Sequence, residues 1–151
     1  MRVLVDTNVL LRAVQSNHPL FAQATQGISV LVRRNDSVCF CSQNIIEFWN
    51  VATRPIERNG FGLSTDQVLK EIAGFESSLS LLPDLTEIYT TWKQIVSAHK
   101  VQGVQVHDAR LVAIMRIYSV DALLTFNAAD FARFASITVI HPSSLAPKAQ
   151  A

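Results

Sequence analysis

Four acidic residues stand where a carboxylate could do chemistry. Asp6 interrupts the apolar run "VLVDTNVLL", Glu47 lies inside "NIIEFWNV", Asp108 sits in "VHDARLVA", and Asp130 follows Asn127 in "LLTFNAADF". Each has an ordinary local explanation. Asp is a favoured helix N-cap, worth roughly 1 kcal/mol, which suits Asp6 at a strand-to-helix junction. Asp108 fits the first turn of a helix, Glu47 alone reads as a surface residue, and Asn127 and Asp130 fit the N-cap and N3 positions of a short helix. Capping does not explain the company these acids keep. On a helix, Asp108 begins a face that continues through Leu111, Val112, Met115 and Tyr118. A buried carboxylate on such a face is costly unless it is paired or coordinates a metal. Glu47 has Gln43, Asn44, Asn50 and Val51 as helical neighbours, and Asn44 and Asn50 are suited to holding a ligating carboxylate from behind. If the acids meet, two carboxylates about 4 Å apart repel by roughly 4 kcal/mol at an effective dielectric near 20. Oxygen-only donors then select a hard cation, Mg²⁺ or Mn²⁺, over zinc.

Other site chemistries fit less well. The histidines His18, His99, His107 and His141 are scattered, and no pair has the helical spacing of a metal site. The glycine patterns of dinucleotide and nucleotide sites and the GxSxG elbow are missing. A phosphoacceptor receiver domain carries paired acids on its first strand, which this chain lacks. A haloacid-dehalogenase-like enzyme requires an acid where Asn8 stands.

The elements that must position the acids are short. "RVLV", "SVCF", "DALLT" and "ITVI" read as strands, with "SLSLLP" as a further short one. Helical patterns lie between them. One runs through "HPLFAQATQGISVLVRR", where Gly27 costs roughly 1 kcal/mol against alanine. A second starts at Ser42 as N-cap, a third has a capping box of Ser64 and Gln67, a fourth one of Asp84 and Glu87, and the last is "HDARLVAIMRIY". Strands separated by helices predict a largely parallel sheet in a three-layer α/β sandwich, with sites beyond the carboxyl ends of the strands. Asp6, Ser42 and Asn127 all fall at such ends.

Bulk properties narrow the class. The chain has 151 residues, 49% of them apolar, enough for one domain with a real core. A formal net charge of +1 excludes a strongly basic nucleic-acid binder by composition, so any such contact needs a local patch or metal ions. The apolar runs stop short of the ~20 residues of a membrane span. No basic-then-apolar leader precedes the first strand, which predicts a cytoplasmic protein. Cys39 and Cys41, two apart in a strand, fall on one face and read as packed core thiols. Residues 1–142 form the expected domain, and residues 143–151, "SSLAPKAQA", an expected frayed tail.

The stretches "VLVDTNVLL", "SQNIIEFWNVATRP", "NGFGLS", "VHDARLVA", "ALLTFNAADF" and "ITVIHP" run nearly end to end. In them the chain resembles the PIN domain family, and more narrowly the VapC-type toxins of bacterial toxin–antitoxin pairs. The resemblance implies a Rossmann-like α/β/α sandwich and an Mg²⁺- or Mn²⁺-dependent endoribonuclease, homodimeric and silenced by a cognate antitoxin. It places Asp6, Glu47 and Asp108 at the family's principal acids and metal ligands, with Thr7, Asn8, Thr125 and Asn127 as polar support. The fourth acid departs from the pattern: Asn127 stands where many members carry Asp, and Asp130 follows three residues later. Arg54 and Arg58, on the loop "TRPIERNGFG", and Arg110, one turn from the acids, are the RNA-contact candidates. The alternative reading is a non-catalytic PIN-like module that binds RNA or protein.

Overall fold

A computed structural model describes residues 1–145. The chain runs β1 (Arg2–Val5), α1 (Thr7–Ala13), α2 (Phe21–Arg33), β2 (Ser37–Cys41), α3 (Ser42–Thr53), α4 (Thr65–Ser78), β3 (Ser80–Leu82), α5 (Thr86–Ala98), α6 (Val106–Ile117), β4 (Ala122–Leu124) and β5 (Thr138–Ile140). The five strands form one sheet in the order β3-β2-β1-β4-β5, with every neighbouring pair parallel. "SLSLLP" thus supplies an edge strand.

The three central strands, β2, β1 and β4, are buried on both faces and their side chains alternate between two cores, while the edge strands β3 and β5 stay partly exposed. Val3, Val5, Val38, Phe40, Ala122 and Leu124 pack on one side with residues of α1 to α4. Leu4, Cys39, Cys41 and Leu123 pack on the other with residues of α5 and α6. This is the expected α/β/α sandwich. The two cysteines share a face as buried free thiols. Among the described residues no helix is long and apolar enough to cross a membrane.

β1 lies at the centre because the chain first builds outward to β2 and β3, then returns to add β4 and β5 on its other side. The order therefore reverses between β1 and β4. In open parallel sheets such a reversal opens a crevice at the carboxyl ends of the strands. Asp6 follows β1 and Thr125 follows β4, so both stand at that crevice, and the Asp6 N–H donates to the Leu124 carbonyl at 2.9 Å.

Several local expectations are corrected. The N-cap of α3 is Cys41, not Ser42, because β2 runs into the helix without a loop. Asn44 Oδ1 accepts the Cys41 N–H at 2.9 Å, and the Ser42 hydroxyl instead donates to Asp84. That bond, with an ion pair to Arg110, takes Asp84 away from the start of α5, whose N-cap is Leu85 without a side-chain bond. Asn127 is the N-cap of a short 3-10 turn, Ala128–Phe131, but its side chain makes no capping bond. The Ser64–Gln67 capping box is present, with bonds of 3.2 and 2.8 Å. α6 is less one-sided than its sequence suggests. Leu111, Val112 and Met115 are buried as expected, and so are Ala109, Ala113 and Ile114, because α6 lies between the sheet and α5. The expected tail begins inside a 3-10 turn, Pro142–Leu145, that packs on α2 through Pro142 and Gly27. Residues 146–151 lie outside the described residues.

Gly27 faces that turn closely. A Cβ built there meets Pro142 Cβ at 3.4 Å, an ordinary if close contact. Gly27→Ala is therefore expected to stabilise the protein by about 0.5–1 kcal/mol through helix propensity. Urea unfolding checks this, and a destabilised variant would show that the packing of Pro142 cannot yield.

Candidate active site

Asp6 is fixed by its neighbours on both strands of the crevice. It is the N-cap of α1, with extended backbone dihedrals (φ −72°, ψ 150°), and its Oδ1 accepts the Thr7 N–H at 2.7 Å. Its Oδ2 accepts from the Thr125 hydroxyl at 2.7 Å and from Asn8 Nδ2 at 2.9 Å. The capping and site readings of Asp6 are therefore compatible, since one oxygen caps while the carboxylate still lines the cleft. Thr125 is fully buried, and its hydroxyl is saturated: it donates to Asp6 and accepts from Asn8 Nδ2 and the Asn127 N–H, both at 3.0 Å. Asn8 closes the ring by accepting the Phe126 N–H at 3.2 Å.

Thr7 carries the link to the second acid. Its backbone serves Asp6, while its hydroxyl donates to Glu47 Oε2 at 2.7 Å and accepts from Asn44 Nδ2 at 3.2 Å. The other oxygen of Glu47 accepts from Gln43 Nε2 at 2.9 Å. Asn44 thus supports Glu47, but through Thr7. Asn50 lines the cleft and makes no hydrogen bond to Glu47. The direct partner is Gln43, one turn before Glu47, whose position on the helix was legible while its contact was not.

Asp108 lies half-buried in the first turn of α6, and Asp130 is exposed on the 3-10 turn after β4. Asp6, Glu47, Asp108, Asp130 and Asn127 all line one cleft of about 320 Å³. The segment after β4 therefore brings both of its candidates, Asn127 and Asp130, to the acids. None of the basic candidates lines this cleft, though Arg110 lines an adjoining one with Glu47 and Asn50. Arg110 Nη2 pairs with Asp84 at 2.7 Å and its Nη1 donates to Gln43 at 3.2 Å, while Arg54 and Arg58 do not line the cleft.

The acids feel one another. Burial, chiefly, pushes the Asp6 carboxyl up to about 6, against the hydrogen bonds from Thr125 and Thr7; the charges of Glu47 and Asp130 raise it further. Asp108 is likewise raised to about 6, by burial and then by Asp6, Asp130 and Glu47, with His107 opposing. Among the described residues none of the four acids is in a salt bridge. The donors to Asp6 and Glu47 are hydroxyls, amides and a backbone N–H, which orient a carboxylate without neutralising it. Such a cluster has room for a cation that the chain itself does not supply. Among the described residues no three His, Cys, Asp or Glu side chains form a ready-made metal cage. The arrangement suits Mg²⁺ or Mn²⁺ in chemistry, because hard cations take oxygen donors and Mg²⁺ keeps several waters while binding through one or two carboxylates.

Comparison with known proteins bears on the family and the fold. The family model described as "PIN domain" matches residues 3–137. No curated protein matches the chain. Among solved structures, VapBC2 from Rickettsia felis, bound to a DNA fragment from its promoter, aligns with a TM-score of 0.72 at 14% identity, covering 93% of this chain and 98% of that one. VapBC-1 from nontypeable Haemophilus influenzae aligns with a TM-score of 0.70 at 16% identity, over 95% and 99% of the two chains. Mycobacterium tuberculosis VapC20, a toxin that cleaves the sarcin-ricin loop, aligns with a TM-score of 0.60 at 14% identity, over 89% and 94%.

Proposed function

The chain belongs to the PIN domain family, and on that premise we propose that it is a metal-dependent endoribonuclease, the toxin of a type II toxin–antitoxin pair. The observation that carries the reading is the convergence of Asp6, Glu47, Asp108 and Asp130 on one cleft at the reversal of the sheet, without a salt bridge to any of them among the described residues. The solved structures it resembles include a toxin–antitoxin complex from Klebsiella pneumoniae, which supports an antitoxin as partner. A homodimer and a cytoplasmic location complete the proposal.

Asp6 and Asp108 are the proposed ligands, with Glu47 ligating directly or through water. A bound Mg²⁺ or Mn²⁺ supplies charge stabilisation at the scissile phosphate and a water of lowered pKa. The chain's own residues supply the geometry. Thr125, Asn8 and the Thr7 N–H hold the Asp6 carboxylate in one rotamer, and Thr7 and Gln43 grip one oxygen each of Glu47. This fixes the spacing of β1 and α3 before substrate arrives, the pre-organisation on which electrostatic catalysis depends. In-line attack by water on phosphorus, with departure of the 3′ oxygen, leaves a 5′-phosphate and a 3′-hydroxyl.

The test is direct. Purified protein incubated with structured RNA is expected to cleave in Mn²⁺ or Mg²⁺ and to stop when excess EDTA is added. End-labelling should find 5′-phosphates. Cleavage that survives the chelator, or a 2′,3′-cyclic phosphate end, would overturn the proposal.

A further inference from the structure

We infer that Gln43 is a positioning residue of the acid cleft, which couples the Glu47 helix to the start of the Asp108 helix and is itself oriented by the Arg110–Asp84 pair. The inference rests on the nuclease reading above. Gln43 is 8% exposed, and every polar atom of its carboxamide is engaged. Its Nε2 donates to Glu47 Oε1 and to the His107 carbonyl, both at 2.9 Å. Its Oε1 accepts from Arg110 Nη1 at 3.2 Å.

The chemistry of these partners permits one orientation of the amide. A carboxylate and a carbonyl only accept, so both must face the NH₂ end. A guanidinium only donates, so Arg110 must face the oxygen end. Turning the amide over would set two acceptors against its oxygen and two donors against each other. Arg110 holds this orientation because its other nitrogen is anchored at 2.7 Å to Asp84, whose second oxygen accepts the Ser42 hydroxyl at 2.6 Å. The chain of contacts runs from Ser42 through Asp84 and Arg110 to Gln43, and from there to Glu47.

Gln43 thereby does two things for the cleft. With Thr7 it fixes both oxygens of Glu47 from two different elements. Through the His107 carbonyl it also ties the first turn of α6, which bears Asp108, to α3. Glu47 and Asp108 come from helices that meet through this amide, so their relative placement depends on it. Arg110 acts here through Gln43 rather than on a phosphate.

The experiment uses the full chain and the variants Gln43→Leu and Arg110→Met. Three quantities are read for each: the Mn²⁺ dissociation constant by calorimetry, the Tm in EDTA, and kcat and KM on RNA. Gln43→Leu is expected to weaken Mn²⁺ binding and lower kcat by about 10-fold or more, the usual effect of removing a partner behind a metal ligand, with KM unchanged. Arg110→Met should move the same two quantities the same way by a smaller factor. A Gln43→Leu protein that loses heat stability in EDTA yet binds Mn²⁺ and turns over like the parent has lost only packing, and overturns the inference. Arg110→Met raising KM alone also overturns it, by placing Arg110 on the RNA. Should Gln43→Leu fail to fold, the partly exposed Arg110→Met decides, and unchanged Mn²⁺ affinity and kcat refute the coupling. If the parent protein neither binds Mn²⁺ nor cleaves, the nuclease reading and this inference fall together. If the parent does both and the variants match it, the coupling fails alone.

Discussion

Asp108→Asn is expected to lower RNA cleavage by about 1000-fold, or ~4 kcal/mol of transition-state stabilisation, while raising the heat stability of the protein in EDTA at pH 7.5. The two effects have one cause. The Asp108 carboxyl is raised to about 6 in the fold, from an ordinary value of 3.8, by burial and by the charges of Asp6, Asp130 and Glu47. A raised carboxyl holds its proton more tightly in the folded state than in the unfolded chain. Its contribution to stability is therefore fully present below about pH 4 and is lost as the pH rises through about 6. At pH 7.5 the charge is a net strain on the fold. Asp108 is only half-buried, so solvent screening reduces the relief to about 1 kcal/mol, or ~2–4 °C in Tm.

The same reasoning predicts that the Tm of the parent protein in EDTA falls between pH 5 and pH 7.5, and that Asp108→Asn flattens this fall. Adding Mn²⁺ should reverse the order. At a hundred times its dissociation constant, a ligand of the folded state adds about 2.7 kcal/mol, and only the parent should gain it in full. Differential scanning calorimetry at the two pH values, with EDTA and with Mn²⁺, reads all of this. A variant that is less stable than the parent in EDTA at pH 7.5 would mean that Asp108 is a structural acid. One that keeps its cleavage would remove it from the site.

Thr125→Val should be nearly as damaging to the fold as Asp108→Asn is to activity. Valine fills the same volume and keeps the branched side chain that a β4 terminus favours. It deletes a hydroxyl that donates to Asp6 and accepts from Asn8 and the Asn127 N–H in a fully buried position. Three polar groups lose a partner, on Asp6, Asn8 and Asn127, all residues of the acid cleft. A buried group left unsatisfied costs about 1–3 kcal/mol, and Asn8 and Asn127 can relax in part, so a total near 3 kcal/mol is expected. Urea denaturation would show a lower midpoint with an unchanged slope, and cleavage should fall as well, since Asp6 loses one of its three orienting donors. Thr125→Ser keeps the hydroxyl and should recover most of both losses. If valine is tolerated within about 0.5 kcal/mol, the size of an ordinary surface change, the ring around Asp6 is not what joins β1 to β4.

These expectations draw on two different sources of information. The strands, the two-sided burial of the sheet and the sandwich were legible because period-2 alternation and short apolar runs are local properties. Val3, Leu4 and Val5 declare both faces of β1 without reference to any other residue. The acids could be identified as candidates on the same ground, from an Asp at a strand end and an Asp leading a core-bound helix. Capping was less legible. Ser42 and Asp84 each have the right type for an N-cap, yet they bond to each other, because a side chain chooses among all donors in reach and the sequence shows only the near ones.

The sequence by itself determined a parallel α/β fold, the four acids, and the oxygen-only character of any site they could make. It did so because hydrophobic period and side-chain chemistry do not depend on what lies far along the chain. Only the tertiary structure decided which polar groups hold those acids. Thr125 meets Asp6 across 119 residues of chain, Thr7 meets Glu47 across 40, and Gln43 reaches the His107 carbonyl across 64. Such contacts follow from the strand order, which sets β4 rather than β5 beside β1. That order is fixed by packing of the whole sheet, which no single segment records.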